Sequence, residues 1–435
     1  MVAGTVRVVS IRQRLYPTPE QKDVLVSHCS HARFVWNLAL EQANFYRTWQ
    51  GPTPGSAARS RQLTEARAQF AWLGEGSSVV QQGALRDFDQ AMKNWFTGLT
   101  NRRAGLPGKV NGRPTWRRAG THEGFMVRDL EVHQLGGKWA TVLIPKVGQV
   151  RFRLTRGWAD VAKATSARVT KDASGHWHVS LTCLPPAFAR VTTGGSTGVD
   201  RGVANSIATS QGVMDHAPTL SKSEQVRFLA LARRMSRQRK SSNRRNRTRT
   251  SLAKLHATLA NRRTDWSQKT ASQLVQDFDL IAFEDLRTAN MVRKPKRKPD
   301  PDQPGVFLPN GARAKAGLNK AILGSCWGQV AAMVTYKAAA TPESSRTVLV
   351  RVNPHNTSRR CHACGHIAPG NRQSQAVFEC VGCGHQAHAD TNAARNILRL
   401  GLQQVLPGEV CGRSDRERTR EPRAKTRAAS TPKAA

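Results

Sequence analysis

The sequence predicts a multidomain protein, part α+β and part α/β, and three features predict it. Residues 21–100 carry apolar side chains at helical spacing, and residues 140–183 hold short runs with strand-like character. Residues 197–400 set acids on a strand, a second strand and a terminal helix, with two cysteine pairs ahead of the third acid. A length of 435 residues allows about two to four domains.

Lys and Arg number 68 against 29 Asp and Glu, a formal net charge of +39. A chain so charged repels itself, and the usual partner that relieves it is a polyanion, most often nucleic acid. At 39% hydrophobic residues the chain can bury real cores, which excludes wholesale disorder. The uncharged stretch 321–336 is too short and too polar for a membrane span and reads as a buried helix. No segment reads as a lipid anchor or signal peptide. Four of the eight cysteines fall within 23 residues, which is not the spread of a secreted disulfide framework. The expected setting is a reducing cytoplasm.

Residues 5–15 read as a strand ended by Tyr16-Pro17-Thr18-Pro19, and helical spacing starts at Glu20. A Gly/Pro/Ser loop over 51–60 separates that helix from two more, 61–72 and 78–99. Residues 105–118 are basic and rich in Gly and Pro, with no helical period. Short strands follow at 140–144, 149–154, 166–171 and 176–183, the last two joined by a hairpin loop at Asp172-Ala173-Ser174-Gly175. They read as a small antiparallel β domain completed by the first strand.

After a linker at 193–196, Gly198-Val199-Asp200 reads as a strand, with strand-turn-strand character to Gly212. Residues 222–263 hold 14 Lys/Arg and one acid, Glu224, and predict a basic helical hairpin that meets a polyanion. Residues 280–283 read as a buried strand, 293–299 as a basic segment and 299–309 as an exposed proline-rich loop. A single helix is expected over 318–340, then a strand over 348–352 and a helix over 392–400. Beyond Pro407 the composition predicts a disordered basic tail.

Cys361-x2-Cys364, fifteen residues, then Cys380-x2-Cys383 matches a structural zinc site, each knuckle offering two thiolates and each followed by a glycine. With four thiolates bound, no position is left for catalytic water. Phosphodiester cleavage by two Mg²⁺ ions needs several converging carboxylates. An RNase H-like fold brings them from a first strand, a later parallel strand and a terminal helix. Asp200, Glu284 and Asp390 stand in that order.

Those residues, Gly198-Val199-Asp200-Arg201-Gly202, Phe283-Glu284-Asp285-Leu286 and Ala389-Asp390-Thr391-Asn392-Ala393-Ala394-Arg395-Asn396 around the cysteines, resemble the RuvC motifs of the TnpB family. Its members are transposon-encoded, RNA-guided DNA endonucleases related to compact type V CRISPR effectors. Arg33-Phe34-Val35-Trp36-Asn37, residues 82–94 and Gly112-Arg113-Pro114-Thr115-Trp116 are similar to the family's N-terminal motifs. Two departures stand out. His388-Ala389 replaces the Asp-Arg that many members place before the third acid, and Arg201 stands where an aliphatic residue is frequent. On a strand, Arg201 should point away from the face of Asp200.

The resemblance implies an RNase H-like (RuvC) nuclease domain with an inserted zinc ribbon, a wedge-like N-terminal β-barrel and a helical recognition domain. It divides the chain into the first wedge strand (1–20), the recognition domain (21–104), the rest of the wedge (105–192), the nuclease (193–354 and 387–405), the zinc ribbon (355–386) and a tail (406–435). It implies catalytic Asp200, Glu284 and Asp390 on two Mg²⁺ ions, one structural Zn²⁺ on Cys361, Cys364, Cys380 and Cys383, and a guide RNA. Double-stranded and single-stranded target DNA would be the partners, in a prokaryotic cytoplasm, with no membrane and no small-molecule substrate. Lys109, Arg113, Trp116, Arg33 and Asn37 are candidate nucleic-acid contacts, Trp116 stacking on a base and the cations meeting phosphates. Competing readings are a compact type V CRISPR effector, a non-cleaving RNA-guided binder and an autonomous transposase.

Overall fold

A computed structural model of the chain describes residues 9–45, 53–106, 108, 110–183, 188–303 and 305–405. Residues 5–8 of the expected first strand, Lys109 and the expected tail lie outside the described residues.

The first unit opens with β1 (Val9–Tyr16) and α1 (Pro19–Phe45), followed by α2 (Ser56–Gln69), α3 (Ala71–Gly74) and α4 (Ser78–Arg103). The second expected helix therefore starts earlier, just after Gly55, because Ser56-Ala57-Ala58 carry nothing that resists helix. The strands are β2 (Gly124–Arg128), β3 (Val132–Gly136), β4 (Trp139–Ile144) and β5 (Gly148–Arg153). After a short α5 (Trp158–Val161) come β6 (Ser166–Lys171) and β7 (Trp177–Cys183). All seven strands join one antiparallel sheet in the order β2-β6-β7-β1-β5-β4-β3. β1 links its halves by pairing Val9–Arg14 with β7 and Leu15–Tyr16 with β5. The expected β-barrel is corrected here, since among the described residues β2 and β3 end the sheet without pairing to each other and it stays open. Instead of a closing strand, β2 packs against α4 and α1, so one apolar core runs from Leu25, Val35 and Phe88 of the helices to Phe125, Val150 and Leu181 of the sheet.

The second unit begins with β8 (Ser196–Asp200), β9 (Ile207–Thr209) and β10 (Met214–Asp215). Then come α6 (Lys222–Arg237) and α7 (Asn243–Asp277), the expected basic hairpin with its second arm running to Asp277. Its lone acid is used internally, since Glu224 completes a capping box with Ser221 and pairs with Arg262 at 2.8 Å. β11 (Leu280–Glu284), α8 (Thr288–Met291) and a two-strand ribbon, β12 (Lys298–Pro299) and β13 (Phe307–Leu308), follow, so the proline-rich loop is a narrow hairpin. The single helix expected over 318–340 is two, α9 (Ala312–Gly324) and α10 (Trp327–Ala339). Gly324-Ser325 loosens the chain, and Cys326 at φ +58° turns it out of the helical region. β14 (Val348–Val352), β15 (Val377–Glu379), β16 (Gln386–His388) and α11 (Ala389–Val405) complete the chain.

The sheet of this unit runs β10-β9-β8-β11-β14, with β8, β11 and β14 parallel and β9 antiparallel to β8. Parallel strands covered on both faces read as continuous apolar runs, as Leu280 to Phe283 does. Val199, Ile281 and Phe283 face α7 and α10 through Ala271, Leu274, Val330 and Val334. Leu280, Ala282, Val350 and Val352 face Ile397 of α11. Each fully buried aliphatic side chain contributes roughly 1.5–3 kcal/mol, so these two clusters fix the sheet between its helices. Among the described residues no helix is long and apolar enough to cross a membrane.

Candidate active site and metal centre

Asp200 and Glu284 are the last residues of neighbouring parallel strands, with Val199 opposite Phe283 one step earlier. Side chains alternate along a strand, so the two carboxylates share a face with Gly198 and Ala282, the face α11 covers. Asp390 sits in the first turn of that helix and is buried with Glu284, while Asp200 keeps part of its surface open. Close packing sets this placement. A Cβ on Gly198 would lie 2.1 Å from the Ala394 carbonyl oxygen, and one on Gly401 would lie 2.6 Å from Ala282 Cβ. Two glycines on facing elements thus let α11 rest on the strands and carry Asp390 to their ends.

Each acid is held. Thr357 Oγ1 donates to Glu284 Oε1 at 2.5 Å. Asn205 Nδ2 donates to Asp390 Oδ2 at 3.0 Å, and Arg372 donates to Asp390 Oδ1 at 3.1 Å. His388 Nδ1 accepts the Asp390 backbone N–H at 3.2 Å, so the residue that departs from the family pattern caps the helix. Arg201 leaves the acid face as expected: its guanidinium lies over the Phe283 ring and donates to the Glu284 carbonyl oxygen. Burial raises the Asp200 carboxyl, and the charges of Glu284 and Asp390 add to it, taking it to about 7. Burial also raises Glu284, opposed by the Thr357 hydrogen bond and the Arg201 charge. Mutually repelling carboxylates, two buried and one partly so, at the ends of adjacent strands and the helix across them are suited to a divalent cation.

The four cysteines form the second centre. Their sulfurs all lie within 4.8 Å of one another, with Cys361–Cys383 at 3.8 Å and Cys364–Cys380 at 3.6 Å. Sulfurs about 2.3 Å from a tetrahedral zinc lie about 3.8 Å apart, so the set fits that ion. The two knuckles share one plan. Cys361 and Cys380 N–H groups donate to the carbonyls of His366 and His385, Gly365 and Gly384 N–H groups return to those cysteines' carbonyls, and both glycines take positive φ, +80° and +72°. Burial opposes ionisation of Cys380, yet the Gly382 and Cys383 N–H groups pull its thiol down to about 7.

The cysteine unit is lashed to the acid site by two buried asparagines one helical turn apart. Asn392 accepts from the His362 N–H and donates to the Arg360 carbonyl, and Asn396 donates to the carbonyls of Thr357 and Arg360. Sequence reading quoted Asn392 and Asn396 without giving them this role, and missed Asn205, Thr357 and Arg372. The i, i+4 asparagines on an otherwise apolar helix face were the available signal.

The other candidates lie in the first unit, apart from the acids. Arg33 pairs with both oxygens of Glu123 at 2.8–2.9 Å, and the Asn37 amide donates to and accepts from the Arg117 backbone. With Trp36, whose indole donates to the Thr115 carbonyl, they fasten the loop 115–123 to α1. Arg113 lies over the Trp95 ring at 5.6 Å, and Trp116 is 48% exposed beside it in sequence.

Three comparisons bear on this arrangement. Residues 181–294 match the family model described as "Probable transposase", 327–397 match "Cas12f1-like, TNB domain", and 10–48 match "Helix-turn-helix domain". In the last span the described residues are β1 and one unbroken 27-residue helix. The chain is 28% identical over 412 residues to the Escherichia coli (strain K12) protein named "Putative RNA-guided DNA endonuclease InsQ", covering 93% of this chain and 95% of that one. It is 27% identical over 406 residues to a Streptomyces pristinaespiralis protein named "Putative RNA-guided DNA endonuclease", covering 92% and 91%. Among solved structures, the Cas12f1 chain of a Cas12f1-sgRNA-target DNA complex shares the fold at a TM-score of 0.50 and 12% identity, over 90% of this chain and 98% of that one.

Two outcomes follow from the site. Purified protein should carry one zinc per chain by elemental analysis, and Cys380→Ser should lose it along with local order; wild-type protein free of zinc would contradict the fit. The second concerns Asp200. Its carboxyl rises from an ordinary 3.8 to about 7, so the folded state keeps a proton that the unfolded state releases between those values. Folding therefore loses stability as pH rises through that window, by on the order of 4 kcal/mol. Without added Mg²⁺, the melting temperature of wild type should fall more between pH 5 and 8 than that of Asp200→Asn. Equal falls would show that no such charge is stored there.

Proposed function

We propose that the chain is a member of the TnpB family, a transposon-encoded RNA-guided DNA endonuclease whose RuvC-like centre is Asp200, Glu284 and Asp390, a reading supported by its likeness to the two named relatives over more than 90% of its length. The observation that carries the reading is the meeting of these acids at the ends of the strands, two from adjacent parallel strands and one from the helix packed across them. The strand order, with the first parallel strand central and an antiparallel strand beside it, supports an RNase H-like nuclease unit.

Asp200, Glu284 and Asp390 are the residues that would hold Mg²⁺. When bound, the metal pair supplies Lewis-acid chemistry, activating water on one side of the phosphodiester and stabilising the departing oxygen on the other. The protein's own part is orientation. Thr357 fixes the Glu284 carboxylate, Asn205 fixes one oxygen of Asp390, and Arg201 ties down the end of β11. Arg372 occupies the other Asp390 oxygen and is the group a cation would displace. The zinc unit is structural, holding the segment that supplies Thr357 and Arg372 against α11 through Asn392 and Asn396.

The partners are a guide RNA and the target DNA, first as duplex and then as separated strands, in a prokaryotic cytoplasm. A charge of +39 suits a large bound RNA better than the few phosphates at one cleavage site. Guide pairing supplies sequence and the protein grips backbone. In this reading the open seven-stranded sheet and α1 to α4 serve as the wedge and recognition units, with the exposed Trp116 and Arg113 on their nucleic-acid side.

The test is cleavage of a DNA library with Mg²⁺ by RNA-free protein and by protein loaded with its copurifying RNA. Only the loaded protein should cut at defined sites, and Asp200→Ala or Glu284→Ala should lower the rate by about 10³-fold or more while target binding survives. Site-specific cutting by RNA-free protein would overturn the guide model, and full activity in either variant would overturn the acid assignment.

A further inference from the structure

Asp200 ends β8 and Arg201 follows it, so alternation sends the two side chains to opposite faces of the sheet. The Arg201 guanidinium lands on the face covered by α7 and α10, 5.7 Å from the centre of the Phe283 ring, and the residue is 7% exposed. The Trp327 indole, at the start of α10, donates to the Gly202 carbonyl at 2.9 Å and fixes the backbone beside it. Arg201 is thus walled in behind the acids.

Its charge is poorly answered there. Among the described residues the guanidinium donates one hydrogen bond, to the neutral carbonyl of Glu284, and its Nε is buried with no partner. A carbonyl and a ring face offset only part of the cost of burying a cation. A guanidinium does not escape that cost by losing its proton. The charges of Glu284, Asp200 and Asp285 favour it, and that of Arg351 opposes it. Asp285 and Arg351 are exposed, where water weakens their effect, so Glu284 and Asp200 are its main electrostatic partners.

That attraction has a consequence for metal. A fixed positive charge that steadies two carboxylates also repels a divalent cation placed between them. Arg372, with a side chain 28% exposed, has water to turn into when it leaves Asp390, whereas Arg201 is enclosed and stays. We propose that Arg201 is a positioning residue that acts through its charge: it stands in for a cation behind Asp200 and Glu284 and so lowers the affinity of the site for divalent metal; this rests on the acid-centre reading above.

The probe is Mn²⁺ alone, titrated onto RNA-free full-length protein and read from the electron paramagnetic resonance of the free ion, with the signal of the matching Asp200→Ala protein subtracted. Arg201→Gln keeps an N–H for the Glu284 carbonyl and drops the charge, while Arg201→Lys keeps the charge. The Gln variant should bind Mn²⁺ about tenfold more tightly than wild type, and the Lys variant within about twofold of it. The Mg²⁺ concentration that gives half the maximal cleavage rate should fall by a similar factor in the Gln variant and stay put in the Lys variant. Equal or weaker Mn²⁺ binding by folded Arg201→Gln would overturn the proposal. So would tighter binding by both variants, which assigns the effect to shape instead of charge. Should the Gln variant fail to fold, Arg201→Met, which keeps the buried stem, carries the same expectation and the same contradiction. No Asp200-dependent Mn²⁺ binding by wild type or by any variant would instead sink the acid-centre reading and take this role with it.

Discussion

Gly198 has no side chain because α11 occupies the space where one would project, and most of the second unit follows from that contact. The helix crosses the same face of β8 and β11 that presents Asp200 and Glu284, and Gly401 meets Ala282 farther along. Once the helix is seated, its first turn stands at the strand ends and Asp390 has no other place to go. Apolar burial around Ile397 and Val352 supplies the energy, and the glycines set the distance.

The same placement creates a problem of charge. Three carboxylates brought together in partly dry surroundings repel one another, and Asp200 holds its proton up to about 7 as a result. Arg372, Asn205 and Thr357 each take one carboxylate oxygen, and two of the three come from the segment around the cysteine unit. That explains why the four-cysteine unit sits just before the third acid in sequence. It stiffens the segment that Asn392 and Asn396 bind, and that segment orients two of the three acids.

Much of this was legible in the residues. The cysteine spacing and the order of Asp200, Glu284 and Asp390 are local signals, readable because metal chemistry restricts both residue type and spacing. Strands such as Val348–Val352 and Ser166–Lys171 fall where alternation or apolar runs place them. Other features depend on contacts far apart in the chain. β2 and β3 escaped because Met126 and His133 give no alternating pattern, and among the described residues the sheet stays open while β2 packs against α4, an arrangement no single segment records. The break at Cys326 was hidden by continuous apolar character on either side of it. Arg33 and Asn37 were expected as nucleic-acid contacts; the loop they fasten lies 80–90 residues away, so no local signal showed that role.

The central claim is that the docking of α11 makes Asp200, Glu284 and Asp390 a single metal site. It is tested most directly by anomalous scattering from crystals of the RNA-loaded protein soaked in Mn²⁺. Peaks within ligand distance of all three carboxylates, with Arg372 drawn off Asp390, are the expected result. Manganese bound only at Asp200 and Glu284, with the Arg372–Asp390 pair intact, would contradict it.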